Sequence, residues 1–344
     1  MKEHTKAKWR NRFPLVLTLL TILCVSVFFL SFFIGRYPLS PKMVCQIFLS
    51  KLFEIPQTWD VTQARVVLQV RLPRIALGFL AGGALSISGA SYQTLFKNPM
   101  VSPDILGVSA GAGFGAALAM VNNLGWVQIQ VSAFVFGMTA VITAYLIAYV
   151  FGRQTITILI LGGIVVSSLF QSLLSIVKTL ADTDNALPAI TFWLMGGLGK
   201  GTNRDVLLLL PVLAASLALL FIFRNQINAL SSGEDEATTM GVNVPLVKTI
   251  IIVSSTLMTV CTVSICGIIG WVGLVVPHIA RMIAGADYGK LAVSSFLIGG
   301  VFLTLIDNII RGFEGVELPL GVLTALVGTP VFVLLLSRVK RGWS

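Results

Sequence analysis

The chain has 344 residues, of which 56% are hydrophobic and only 11% charged, and its formal net charge is +10. A water-soluble domain carries about 45–50% apolar residues and about 25% charge, so that class is excluded and an integral membrane protein is indicated. Four cysteines and two histidines, His4 and His278, leave no disulfide framework and no histidine-rich metal site within one chain.

A helix needs about 20 apolar residues to cross about 30 Å of hydrocarbon. In chain order such runs fall at 13–34, 75–96, 105–121, 131–151, 156–177, 206–223, 246–266, 268–283, 291–310 and 320–336. They predict an all-α polytopic protein of about ten spans forming a single transmembrane domain. Lys2, Lys6, Lys8, Arg10 and Arg12 precede the first run, which continues through Phe28, Phe29 and Phe32 without a small-residue cleavage pattern. It reads as a retained span rather than a removed signal peptide. Arg338, Lys340 and Arg341 follow the last run, and basic flanks at both ends place both termini in the cytoplasm, which requires an even number of spans.

Residues 36–70 form the longest stretch outside the spans, an external loop broken by Pro38, Pro41 and Pro56 and expected to hold short helices. Arg36, Lys42, Lys51 and Arg65 within it, with Arg71 and Arg74 just beyond, outnumber Glu54 and Asp60. A basic outer face suits an anionic ligand or an acidic partner. Small residues in "GFLAGGALSISGA" (78–90) and "GVSAGAGFGAAL" (107–118) let helix backbones approach closely. "GLGKGT" (197–202) lacks the glycine and hydroxyl spacing of a phosphate-binding loop, and "GAGFG" (111–115) lacks that of a dinucleotide fingerprint. Asp307 is the main acid within a span, whereas an ion-driven transporter ordinarily buries several. Energy is therefore expected from another subunit.

The segment 224–246 concentrates Glu234, Asp235 and Glu236 at one point. Ser231 or Ser232 can cap a helix, and acids in its first turn interact favourably with the exposed amides by about 0.3–1 kcal/mol each. Gly233 precedes the acids; Ala237, Thr238 and Thr239 keep the helix slim, Gly241 followed by Val242 can end it, and Pro245 prevents direct continuation into the seventh span. The result is a short rigid knob with a small-residue face, or alternatively a solvated loop whose acids serve solubility.

"VRLPRIALGFLAGGALSISGASYQTLFKNPMVSPDILGVSAGAG" (70–113), "CGIIGWVGLVVPHIARMIAGADYGKL" (266–291) and "IDNIIRGFEGVELPLGVLTALVGTPVFVLLL" (306–336) resemble the FecCD/BtuC-like permease family. That family imports iron–siderophore complexes, haem and cobalamin through ATP-binding-cassette (ABC) transporters. The resemblance implies a permease that is not itself an enzyme, in the bacterial or archaeal cell membrane, with spans two to five and seven to ten as inverted-topology halves. It implies a second permease subunit, identical or a sister, two cytoplasmic ATPase subunits that hold ATP and Mg, and an external substrate-binding protein. No cofactor, metal or nucleic acid is expected on this chain.

The resemblance also assigns residues. Arg71, Arg74 and Arg311 match positions that meet acidic groups of the binding protein; taken singly, each could instead anchor a helix end. Gly233, Glu234, Asp235, Glu236, Ala237, Gly241 and Val242 match the segment that couples to the ATPase. The family's pathway is lined largely by the fifth and tenth spans, which makes Ser167, Ser168, Gln171 and Ser175 candidates; Gln171 and Ser175 share one helix face. Iron(III)–siderophore is the expected cargo, with haem, cobalamin and molybdate as alternatives and an ATP-independent secondary transporter as a more distant one.

Overall fold

Inside hydrocarbon each backbone N–H and C=O must find a partner within the protein, and a helix achieves this within one segment. No strand occurs among the described residues of this computed structural model, which are 13–152, 156–313 and 318–339. The flanking Lys2, His4, Lys6, Lys8, Arg10, Arg12, Lys340 and Arg341 lie outside them, as does the side chain of Arg338. The helices are α1 (Phe13–Leu30), α2 (Pro41–Leu49), α3 (Val61–Leu95), α4 (Val108–Val121), α5 (Trp126–Gly152), α6 (Ile156–Leu180) and α7 (Ala186–Leu194). They continue with α8 (Asn203–Ile222), α9 (Arg224–Ser232), α10 (Glu234–Thr239), α11 (Val244–Cys266), α12 (Val272–Ala284), α13 (Tyr288–Gly312) and α14 (Leu320–Val339). Seven of these, α1, α3, α5, α6, α8, α11 and α13, are long and apolar enough to cross a membrane, while α4, α12 and α14 are shorter apolar helices. Together they stand where the apolar runs predict spans.

The boundaries differ from those runs for local reasons. α3 begins at Val61, and its first turns pass through a π-helical stretch, Val66–Arg71, before the apolar run starts. Polar residues of the expected loop thus continue the helix, and the true connection is residues 31–60 with α2 inside it. α1 stops at Leu30, where residues 31–33 turn. α4 starts only at Val108, because Gly107 is in the left-handed region at φ +85° and residues 97–107 stay in turns.

α3 lies at the centre, buried along most of its length and packed against α8, α11, α12 and α13. α4 packs on α5 and α6 as α12 packs on α13 and α14, and α3 leans on α13 as α11 leans on α5. Arg74, near the start of α3, and Cys266, at the end of α11, line the same cleft, so the two helices run in opposite senses. The exchange of partners thus accompanies a reversal of direction between α3 and α11.

Between helices in lipid there is no hydrophobic drive, so the contact depends on how closely backbones approach. A Cβ on Gly82 would sit 2.2 Å from the Gly299 carbonyl oxygen of α13, and one on Gly89 1.8 Å from the Gly273 oxygen of α12. Phe79 of α3 covers Gly300 of α13, and Phe296 of α13 covers Gly83 of α3; a Cβ at either glycine would meet the ring at 2.6 or 2.4 Å. The two rings meet edge to face with centroids 5.6 Å apart. Each helix therefore carries the same short pattern, FLAGG at 79–83 and FLIGG at 296–300, and each phenylalanine fills the other's glycine notch.

Gly89→Ala should lower both the yield of folded protein and its melting temperature, since overpacking of this kind costs about 1–3 kcal/mol or more. Gly270→Ala, with no atom within 4 Å of its added Cβ, should change neither. Melting curves of the detergent-purified proteins measure the contrast.

Candidate functional sites

At one end of the bundle a cleft of about 840 Å³ is lined by Arg36, Arg71, Arg74, Lys200 and Arg311 with Asp307 among them, and walled by Trp126, Phe192 and Trp193. The structure divides the three arginines expected to share a role. Arg71 is buried, 4% exposed, and its guanidinium donates to the backbone carbonyls of Phe32 and Tyr37. It clamps the turn that leaves α1, so its planar fork is occupied by the chain's own backbone. Arg74 reaches Asp307 through Nε (3.0 and 3.1 Å to the two oxygens) and Nη2 (2.8 Å), and its side chain keeps 22% exposure. Arg311 lies one turn from Asp307 on α13, with Nε 3.1 Å from Oδ2. Its Nη2 donates to Asn308, whose Nδ2 donates to Ser31 at 2.7 Å.

One buried carboxylate thus holds two guanidinium groups and joins α3 to α13, while Asn308 extends the network to α1. The fork geometry is the one that suits arginine and carboxylate. Of the three arginines, Arg74 alone presents a substantial part of its side chain to the cleft's open side. The glycine-rich stretch 196–200 forms another part of the wall, with Lys200 Nζ 4.8 Å above the Trp126 ring. A second buried acid, Asp205, was not singled out from the sequence; it accepts from Gln130 at 2.9 Å and from Thr202 at the start of α8. Among the described residues, the buried acids Asp205 and Asp307 are both engaged in pairs or hydrogen bonds. Among the described residues no group of three or more His, Cys, Asp or Glu is placed to hold a metal ion.

At the opposite end, α9 and α10 form the segment that carries the acid cluster. Glu234, Asp235 and Glu236 make up the first turn of α10. The capping differs from expectation: Gly233 precedes α10, while Ser231 and Ser232 belong to α9, where the Ser231 hydroxyl donates to Asn228 O at 2.6 Å. Gly241, at φ +79°, ends the helix. Its N–H bonds Thr238 O at 2.9 Å and the Val242 N–H bonds Ala237 O at 3.0 Å, the paired pattern that satisfies the last carbonyls of a helix. Pro245 then sits in the first turn of α11, whose start is capped by Asn243. Ala237 is fully buried against the chain itself, so the small-residue face expected to point outward points inward on that side. What α10 exposes is Asp235, Glu236, Thr238, Thr239 and Met240. Lys248 of α11 ties down Glu234 at 2.7 Å.

Along α6, Ser168, Gln171 and Ser175 are exposed, and so are Ser172 and Thr179, which lie outside the expected set. At 100° per residue these five fall within an arc of about 100°. Ser167 is turned away and packs against Gly107, 2.9 Å from where a Cβ there would lie, so it is separated from the stripe. The hydroxyls of 168, 172, 175 and 179 each donate to the carbonyl four residues earlier, at 2.9 Å. Spacing of hydroxyls at i, i+4, i+7 and i+11 in an apolar run was the signal that would have found the whole face.

The FecCD transport family model matches residues 21–338. The chain is 35% identical over 332 residues to the molybdate import system permease protein MolB of Haemophilus influenzae, covering 96% of this chain and 98% of that one. It is 37% identical over 285 residues to the cobalamin import system permease protein BtuC of Halobacterium salinarum, covering 83% and 75%. A probable iron chelatin transport system permease protein of Helicobacter pylori is 35% identical, covering 80% and 83%. A solved metal-chelate type ABC transporter in an inward-facing conformation superimposes with a TM-score of 0.84 at 35% identity, covering 94% of this chain and 99% of that chain. With the match spanning nearly its whole length, the chain belongs to the FecCD transport family.

Proposed function

We propose that this chain is the membrane permease of an ABC importer that moves a metal-containing cargo inward between two permease subunits, powered by separate ATPase subunits. The observation that carries the reading is the hydroxyl and carboxamide stripe of α6. Its helix has a mean hydropathy of 2.1 over its best window, yet Ser168, Gln171, Ser172, Ser175 and Thr179 are uncovered in the single chain. Such a stripe is poorly placed against lipid and well placed along a water-filled path completed by a second subunit. Family membership supports the same assembly.

The cleft with Arg74 is then the external face, where an acidic binding protein docks, and α10 is the cytoplasmic contact for the ATPase. Arg71 serves by holding the α1 exit in place, and Ala237 by seating α10 on its own bundle. Both buried acids being engaged, neither is set up as a proton or sodium relay, which disfavours a self-powered transporter. For the cargo, two chemistries compete. Each has a relative that matches almost end to end: a molybdate permease at 35% identity and a probable siderophore transport system permease protein at 31%.

Vesicles holding the permease, its ATPase and the loaded binding protein should take up cargo only with ATP inside the ATPase compartment. Parallel uptake of labelled molybdate and a labelled ferric chelate separates the cargo readings; ATP-independent uptake would overturn the proposal. Ser172→Leu with Ser175→Leu should block uptake while leaving the ATPase subunits bound and active. Arg74→Glu should reduce the stimulation of ATPase by the binding protein several-fold. Arg71→Ala should instead lower the melting temperature, because the buried Phe32 carbonyl loses its donor at about 1–3 kcal/mol and the part-buried Tyr37 carbonyl loses one too. Gly241→Trp, whose side chain enters open space but strains the left-handed backbone at φ +79°, should abolish co-purification of the ATPase with a lower melting temperature but a folded permease, checked by the melting curve of the variant alone.

A further inference from the structure

We infer that α3 and α13 form a rigid strut between the two partner-facing ends, and that Asn228, Tyr288 and Ser91 are the positioning residues that lock the strut to the coupling segment. The inference rests on the proposed function for what the two ends contact.

The two helices are antiparallel and joined at three levels. At the cleft end the joint is Arg74 on Asp307. In the middle it is the glycine contact of Gly82 with Gly299 and the interlocked Phe79 and Phe296. At the other end it is the Tyr288 hydroxyl on Ser91, 2.6 Å apart, with both residues fully buried. The Ser91 hydroxyl also lies 2.8 Å from the Ile87 carbonyl, to which it donates, so in the Tyr288 pair the phenol is the donor. From Arg74 to Ser91 a helix rises about 26 Å at about 1.5 Å per residue, most of the hydrocarbon thickness.

The coupling segment grips the strut at the same point. Asn228 of α9 accepts the Tyr288 backbone N–H at 2.7 Å, and its amide donates to Asp287 at 3.1 Å. Asp287 in turn caps α13 through the Lys290 N–H at 3.1 Å. Asn228 therefore fills both hydrogen-bonding roles of its amide on the first residues of α13, and Tyr288 passes the contact to α3. A close-packed body without slack transmits a displacement, whereas a loose one absorbs it. Among the described residues no other side-chain hydrogen bond of α9 reaches a second membrane helix: Ser231 and Arg224 bond within the segment or to the end of α8.

The test uses the complete importer in vesicles and compares basal ATPase with ATPase stimulated by the loaded binding protein. Coupling changes of roughly 2- to 30-fold are the range for residues that link distant sites. Tyr288→Phe keeps the ring and removes only the hydroxyl; it should leave basal ATPase unchanged and reduce stimulation within that range. Asn228→Ala should do at least as much to stimulation. Ser91→Ala should match Tyr288→Phe, and the double variant should be no worse than either single, as expected when both remove the same bond. Full stimulation in both single variants would overturn the strut alone, as would an equal fall of basal and stimulated rates together with a lower melting temperature. Wild-type complex that the binding protein fails to stimulate would overturn the proposed function along with it.

Discussion

The contact between α3 and α13 is the one on which the rest of the architecture depends. Lipid tails are as apolar as leucine, so only close fit, hydrogen bonds and ion pairs favour helix on helix. Glycines at 82, 83, 299 and 300 bring the two backbones together, and the crossed phenylalanines fill the notches those glycines leave. With that distance set, Asp307 can reach Arg74 across the gap, and Tyr288 can reach Ser91 at the other end. A wider spacing would leave the buried Tyr288 hydroxyl without its acceptor and Asp307 with Arg311 alone, and a buried polar group without its partner is worse than none.

The cleft end shows why charge alone does not define a docking surface. Five cations line it, but they hold different posts: Arg71 is spent on backbone, Arg311 is buried on Asp307 and Asn308, and Lys200 lies over an aromatic face. Arg74 combines a partner with exposure. It can meet an incoming carboxylate without leaving Asp307 stripped of counter-charge, since Arg311 remains beside it.

The positions of the spans were legible because the membrane imposes a length and a composition on each of them. Their ends were not, since a helix can outrun its apolar run, as α3 does back to Val61, or fall short of it, as α4 does at Gly107. The acids of α10 and the stop at Gly241 followed from local backbone chemistry and stand as read. Which way Arg71 and Ala237 point depends on neighbours far away in sequence, and no local pattern reports it. The FLAGG and FLIGG pair, by contrast, was visible in the letters; what was missing was a reason to compare two stretches that pack antiparallel across the bundle.

The hydroxyls along α6 give their protons to their own helix, and so what they turn outward is lone pairs. A wall of that kind wets readily but grips nothing firmly, with Gln171 as the one amide able to offer a proton from the stripe. A cargo passing along such a surface, as in the proposed function, would meet many shallow resting points and no deep one. Discrimination between cargoes would then lie upstream, with whatever delivers them, and one permease design could serve chelates and oxyanions that share little chemistry.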